Sequence, residues 1–409
     1  MANFDVTRLL AKDSGGKIVL LVLDGLGGLP LEADGPTELE SASTPNLDRL
    51  AREGSSGLSI PILRGVEPGS GPAHLALFGY DPLQYGMGRG ALEAAGIGIE
   101  MQPGDVAARG NFATIDGEGL IVDRRAGRIS TEKGAEAVAD LKKITLPGVT
   151  TIVEEVKEHR FVLLLRGEGL DPRIEETDPL VEGAPPLRSR PEETAKEVMA
   201  AQHTAELVNQ FIDEARELLA PHYPANFINL RGFAGDPNLP KFQDVYKLNA
   251  ACVAVYPMYK GVSRLVGMTV LEMQAEDTPL DEFNYVADRW DDFDFFFVHI
   301  QATDSRGEDG MFDAKAEVIE NVDAALPALM DLNPDVLIVT GDHSTPAKLR
   351  QHTFHPVPTL IWAPVTALRD GVTGFGERQA MHGGLGHFPA SDLMMMALGY
   401  AQRLSRYGA

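Results

Sequence analysis

The sequence predicts an α/β fold: a doubly wound core interrupted by a smaller inserted α+β domain. Three observations carry this. Apolar β-branched runs that end abruptly in Asp recur near both ends of the chain, as buried parallel strands do when they deliver polar groups to the carboxyl edge of a sheet. Helical periodicities alternate with them after residue 240. The segment between breaks that rhythm with short strands, one long amphipathic helix and Pro-rich punctuation. The expected division is a core from 1–85 and 241–409 around an insert from 86–240.

Ile18-Val-Leu-Leu-Val-Leu-Asp24-Gly25 reads as the first buried strand. Ser43-Thr44-Pro45-Asn46 then opens a helix, with Thr44 expected as N-cap and Pro45 as first helical residue. Glycines crowd the stretch from Gly65 to Gly98, which reads as loop-like backbone that can approach a ligand closely. In the insert, Phe161–Leu165 and Asn226–Leu230 read as strands. Ser189-Arg-Pro-Glu192 has the form of a capping box, and Val198, Ala201, Ala205, Val208, Ile212, Ala215 and Leu219 mark one face of a long helix. Strands are expected again near 250–256, 294–300, 335–340 and 358–363, with a helix over Asp313–Leu329.

Composition narrows the function. The 409 residues carry a formal charge of −24 and no basic tract, which argues against a nucleic-acid partner. No run approaches the ~20 apolar residues of a membrane span, and the N-terminus lacks the layout of a signal peptide. The single Cys252 lies in an apolar run and reads as a packing residue; with no intrachain disulfide available, a reducing cytoplasm is the expected location. An anionic substrate would need a local cluster of cations or metal ions. A homo-oligomer stays open.

Three strand ends converge on one chemistry. Asp24, Asp304 (after Phe295–Ile300), and Asp342-His343 (after Val336–Thr340), with Ser70, Glu308 and His352, form an oxygen- and nitrogen-rich candidate set for two divalent ions, manganese or alternatively magnesium, zinc or cobalt. Asp304 and Glu308 project to one side if their segment is helical. Beside a metal, the Ser70 hydroxyl can ionise and attack phosphorus. His74, between Ala73 and Leu75, reads as structural.

The segments Val22–Gly27, Ser43–Asp48, Gly69-Ser70, Ala73–Pro82, Arg109–Thr114, Tyr259–Gly261, Thr340–Pro346 and Gly383–Gly386 together resemble the archaeal-type, cofactor-independent phosphoglycerate mutases of the alkaline phosphatase superfamily. The resemblance runs from about residue 17 to 400. It implies an alkaline-phosphatase-like core with the insert as substrate-binding cap, closing over the cleft to exclude water. It implies one metal held by Asp24, Ser70, Asp342 and His343 and another by Asp304 and His352. Ser70 would take the phosphoryl group from a small phosphorylated substrate, Lys260 would stabilise its charge, and 3-phosphoglycerate and 2-phosphoglycerate would interconvert without 2,3-bisphosphoglycerate. Glu308 stands where the pattern has His, with His355 as the alternative ligand; Gly71-Pro72 replaces Asp-Thr, and His387 replaces Arg. These departures bear on the substrate, so another metal-dependent phosphotransferase or phosphatase, acting on a phosphoester or phosphonate, is the alternative. Arg109 and Arg166 are the expected substrate-binding guanidiniums, with Arg188 and Arg190 also candidates.

Overall fold

The apolar runs become strands with no solvent face. In the computed structural model, which describes residues 4–274 and 278–408, all six residues of β1 (Ile18–Leu23) are buried. The chain divides into two compact units, one of residues 4–86 with the described residues from 239 on, the other of 87–238.

The remaining strands, in chain order, are β2 (Ser55–Ile60), β3 (Val106–Ile115), β4 (Ile121–Asp123), β5 (Thr150–Lys157), β6 (Arg160–Arg166), β7 (Phe227–Ala234), β8 (Ala250–Ala254), β9 (Thr269–Leu271), β10 (Phe295–Ile300), β11 (Val336–Thr340), β12 (Val357–Trp362) and β13 (Gly386–Pro389). In the first unit an eight-stranded sheet runs β13-β2-β12-β11-β1-β10-β8-β9. Pairing is parallel from β11 through β9; β12 runs antiparallel to both its neighbours. The order matters for the site, because β1 lies between β10 and β11. Their registers are nearly level: Leu23 pairs with Ile300, and Val22 with both His299 and Thr340. Three strand ends far apart in sequence therefore emerge side by side. Cys252 lies fully buried in β8, and burial pushes its thiol up to about 12, as suits a packing residue.

The second unit is built on an antiparallel five-stranded sheet, β4-β3-β6-β5 with β7 also on β3. The helices Thr131–Leu141 and Val198–Leu219 share a core with strand residues including Phe112, Phe161, Leu163 and Ile228. Ala94, from the helix Arg89–Gly96, packs with Ala107, Val162 and Leu164 of the same sheet.

Four local readings differ from the sequence expectation. Thr44 makes no side-chain cap; the buried carboxylate of Asp323, from the helix Phe312–Met330, accepts from the N–H groups of Asn46 and Leu47 at 3.2 and 2.7 Å. Ser189 opens no helix: its hydroxyl donates to the Glu175 carbonyl, its N–H to Asn209, and the long helix starts only at Val198. Val198, the first residue of that helix, is exposed. The glycine-rich stretch holds two helices, Ser70–Leu77 and Arg89–Gly96, because its glycines fall at their edges and at close approaches such as Gly90 on the Ala107 backbone.

Candidate metal centre

β1 delivers Asp24, β10 leads into the helix Ala302–Glu308 with Asp304, and β11 delivers Asp342 and His343. Asp24, Asp342 and His343 are fully buried. His343 Nε2 lies 3.4 Å from Asp24 Oδ1, 3.1 Å from Asp342 Oδ2 and 3.2 Å from Ser70 Oγ. Ser70 is the first residue of its helix, so its hydroxyl stands at the dipole's positive end. Asp304 and His352 form a neighbouring cluster: His352 Nε2 is 3.7 Å from Asp304 Oδ1 and 3.8 Å from Glu308 Oε1. Asp24–Asp342–His343 and Asp304–His343–His352 are two groups, among the described residues, whose ligand atoms are close enough to share an ion.

Proton accounting fixes the imidazoles. The Thr345 hydroxyl donates to Asp304 Oδ1 at 2.6 Å, so it accepts from His343 Nδ1 at 3.0 Å. His343 Nε2 is then a lone pair facing Asp24, Asp342 and Ser70. His352 Nδ1 donates to the Pro68 carbonyl at 3.0 Å and leaves its Nε2 lone pair toward Asp304 and Glu308. Such second partners are how ligating histidines are oriented. His355 instead turns Nδ1 toward the Thr353 hydroxyl. His74 lies beneath the site, its Nδ1 2.8 Å from the Ser70 carbonyl and 3.2 Å from Asp342 Oδ2.

The donor set fits a cation. Asp24 Oδ1 and Asp342 Oδ2 are buried and find no hydrogen-bond partner among the described residues, an arrangement that costs several kcal/mol unless positive charge meets it. Burial, then the charges of Asp342 and Asp304, raises Asp24 well above the usual carboxylate range. Burial lifts Asp304 to about 6 and lowers His343 to about 3. Burial also works against ionised Asp342, but His343, His74 and the Gly25 N–H hold it low. Mixed carboxylate, hydroxyl and imidazole donors suit manganese, magnesium, zinc or cobalt.

Two contributors lie in the family-like segments Tyr259–Gly261 and Thr340–Pro346 but are not among the expected site residues. Tyr259, beside the expected Lys260, donates its hydroxyl to Asp24 Oδ2 and stacks on His299 with centroids 3.6 Å apart. Thr345 bridges the two clusters. Lys260 is nearly buried, its Nζ 2.9 Å from the exposed Glu272 carboxylate. His387 is exposed on β13.

The second unit contains its own anion-binding candidate. A cavity of about 260 Å³ is lined by Arg89, Arg109, Arg124, Arg125, Arg128, Arg160 and Arg231, with Asn111, Glu158 and His159. Arg109 lies opposite Arg231 across the β3–β7 ladder. Burial, and after it the charge of Arg160, push His159 down to about 4. Arg166 does not line this cavity. It sits at the far end of β6 in a bidentate pair with Asp105, and Arg188 and Arg190 pair with Asp213 and Glu175.

Fold and site define an α/β protein whose central sheet edge carries carboxylate and imidazole groups that could hold metal ions, beside a helix-terminal serine. The comparisons narrow this class. Residues 51–226 match the family described as 2,3-bisphosphoglycerate-independent phosphoglycerate mutase. Probable 2,3-bisphosphoglycerate-independent phosphoglycerate mutases of Thermus thermophilus and Thermosipho africanus are 48% and 51% identical, covering 100% of both chains in the first case and 99% of this chain and 98% of the relative in the second. The cofactor-independent phosphoglycerate mutase of Thermoplasma acidophilum superimposes with a TM-score of 0.71 at 32% identity, over 94% of this chain and 99% of that one. A Pyrococcus horikoshii protein does so with a TM-score of 0.81 at 30% identity, over 97% and 100%. The chain belongs to the 2,3-bisphosphoglycerate-independent phosphoglycerate mutase family and is an enzyme. No described helix is long and apolar enough to cross a membrane.

Proposed function

We propose that this enzyme interconverts 3-phosphoglycerate and 2-phosphoglycerate through a phosphoserine formed on Ser70 at a two-metal site, without 2,3-bisphosphoglycerate. The observation that carries the reading is Ser70 Oγ 3.2 Å from His343 Nε2, which also lies within 3.4 Å of the unpartnered carboxylate oxygens of Asp24 and Asp342. Asp24, Ser70, Asp342 and His343 would hold one ion, and Asp304, His352 and Glu308 the other. Glu308 is preferred over His355 because its carboxylate faces His352 whereas His355 faces Thr353. An added carboxylate favours manganese or magnesium over zinc. Bound ions would lower the Ser70 hydroxyl's pKa and offset charge on the transferring phosphoryl group.

The chain's own residues supply the rest. Ser70 Oγ gives up its proton and forms a bond to phosphorus as the substrate's ester P–O bond breaks, and the departing oxygen takes up a proton, leaving glycerate and phospho-Ser70. The other glycerate hydroxyl then attacks the phosphoserine, releasing Ser70. Lys260 offers an ammonium to the phosphoryl charge by exchanging its exposed Glu272 partner for substrate. The guanidinium-lined cavity is suited to an anionic group, with Arg109 at its wall, in a unit that acts as substrate-binding domain. A cytoplasmic setting accords with the single, buried Cys252.

The test is Ser70→Ala. Isomerisation falls to background and no labelled phosphoenzyme is trapped, while Mn²⁺ binding largely persists through the remaining ligands. Retained turnover would refute the phosphoserine route.

A further inference from the structure

Lys315 lies in the helix Phe312–Met330 and is fully buried. Its Nζ donates to three backbone carbonyls, Gly25 at 2.8 Å, Gly27 at 3.1 Å and Thr345 at 2.8 Å. An ammonium has three N–H donors and a neutral amine two, so the three contacts call for the charged form and saturate it. A fully buried lysine is rare unless its charge is met. Here four carboxylates, those of Glu38, Glu377, Asp304 and Asp24, oppose the cost of burial.

The three carbonyls belong to two short loops. Gly25 and Gly27 follow Asp24 at the end of β1, and Thr345 follows Asp342-His343 at the end of β11. These loops are also stitched directly: Thr345 N–H donates to the Gly25 and Gly27 carbonyls, and Gly25 N–H to Asp342 Oδ1. Thr345 in turn holds Asp304 and the His343 ring through its hydroxyl. The helix carrying Lys315 also supplies Asp323, which caps the helix Pro45–Glu53. One helix thus fixes the underside of both ligand-bearing loops.

We propose that Lys315 is a positioning residue for the metal centre: its ammonium clips the Asp24 loop to the Asp342-His343-Thr345 loop and sets the spacing of the ligands above. It touches no ligand side chain and no reacting atom. Two effects of removing it oppose each other. Loss of a nearby cation would by itself favour a divalent ion, through relief of like-charge repulsion. Loss of the clip lets both loops relax, and with them the Thr345 hydroxyl and the Gly25 N–H, the outer-shell partners of His343, Asp304 and Asp342, whose displacement costs about 10- to 100-fold in metal affinity. The geometry makes the second dominate, because the three bonds converge on one nitrogen: when it goes, the Thr345 carbonyl loses its Nζ donor, and the Gly25 and Gly27 carbonyls are left to share the Thr345 N–H.

The inference rests on the metal-site reading above, and the wild-type protein keeps the two apart. Mn²⁺ affinity is measured by electron paramagnetic resonance on metal-stripped, full-length protein, for wild type and Lys315→Met, with the melting temperature of each stripped protein recorded alongside. Expected are Mn²⁺ binding by wild type, about 10- to 100-fold weaker binding by Lys315→Met, and a matching rise in the Mn²⁺ concentration that half-saturates activity. A residue serving global stability alone would lower the melting temperature and leave affinity unchanged at temperatures where the protein is folded. Unchanged or tighter affinity in Lys315→Met overturns this inference; wild type that binds no Mn²⁺ overturns the metal-site reading instead. Should Lys315→Met fail to fold, Lys315→Gln, which keeps two N–H donors without the charge, is held to the same criterion.

Discussion

Replacing Tyr259 by Phe removes one oxygen from the buried floor of the metal centre and little else. The ring stays stacked on His299, so packing is retained. The lost atom is the donor to Asp24 Oδ2, on a carboxylate already raised well above its ordinary range by burial and by Asp342 and Asp304, and which the Tyr259 hydroxyl helps to lower. A hydrogen bond to a charged group contributes about 1.5–3 kcal/mol, or about 10- to 150-fold in an equilibrium constant at 1.4 kcal/mol per decade. Without it Asp24 holds its proton more tightly, and a metal must displace that proton to bind. Tyr259→Phe is therefore expected to weaken Mn²⁺ binding about 10- to 150-fold near neutral pH, with the deficit growing as pH falls. Calorimetric titration of metal-stripped protein at two pH values measures it. Affinity within about twofold of wild type at both would refute the argument that this hydroxyl tunes Asp24.

Other predictions concern separate parts of the molecule. Inorganic phosphate or 3-phosphoglycerate entering the guanidinium cavity should raise the pKa of His159 from its depressed value by about one unit, seen by NMR titration; no movement would place the anion elsewhere. Glu308→His should shift metal preference from manganese toward zinc in competition binding, and an unchanged preference would remove Glu308 from the ligand set. Glu377 accepts from the Thr37 hydroxyl and the Gly28 N–H, yet burial raises it from 4.5 to about 7. An acid raised in the folded state contributes full stability below its unfolded pKa and loses it as pH rises through the folded one. Metal-stripped protein should lose on the order of 3 kcal/mol between pH 4.5 and 7 from this group, at about 1.36 kcal/mol per unit. Glu377→Gln, with the Thr37 hydroxyl turned to accept, should flatten that slope in denaturant titrations.

How far the sequence exposes this site depends on what kind of contact each residue makes. Asp24, Asp304 and Asp342-His343 are visible because each comes just after a buried, mostly apolar strand, and a polar residue there has few roles other than facing a ligand. That β10, β1 and β11 are neighbours is a topological fact that no run displays. Tyr259, Thr345 and Lys315 act through hydrogen bonds to residues mostly distant in the chain, so no local periodicity marks their roles. Thr44 is misleading for the same reason: its local chemistry is that of a cap, but Asp323, distant in the chain, reaches the same N–H groups. In the second unit, the guanidinium cavity draws on β3, β6, β7 and the turn after β4, and only pairing brings Arg109 against Arg231. Arg166 looks equivalent to Arg160 in composition, but six residues along a strand is about 20 Å, and there it meets Asp105.

The most direct measurement is conversion of 3-phosphoglycerate to 2-phosphoglycerate by metal-stripped protein, with and without Mn²⁺, with 2,3-bisphosphoglycerate withheld and free phosphate followed in the same tube. Metal-dependent isomerisation with negligible phosphate release is the predicted result. Isomerisation that ignores the metal, or phosphate released without isomer, would contradict a two-metal phosphoserine mutase centred on Ser70.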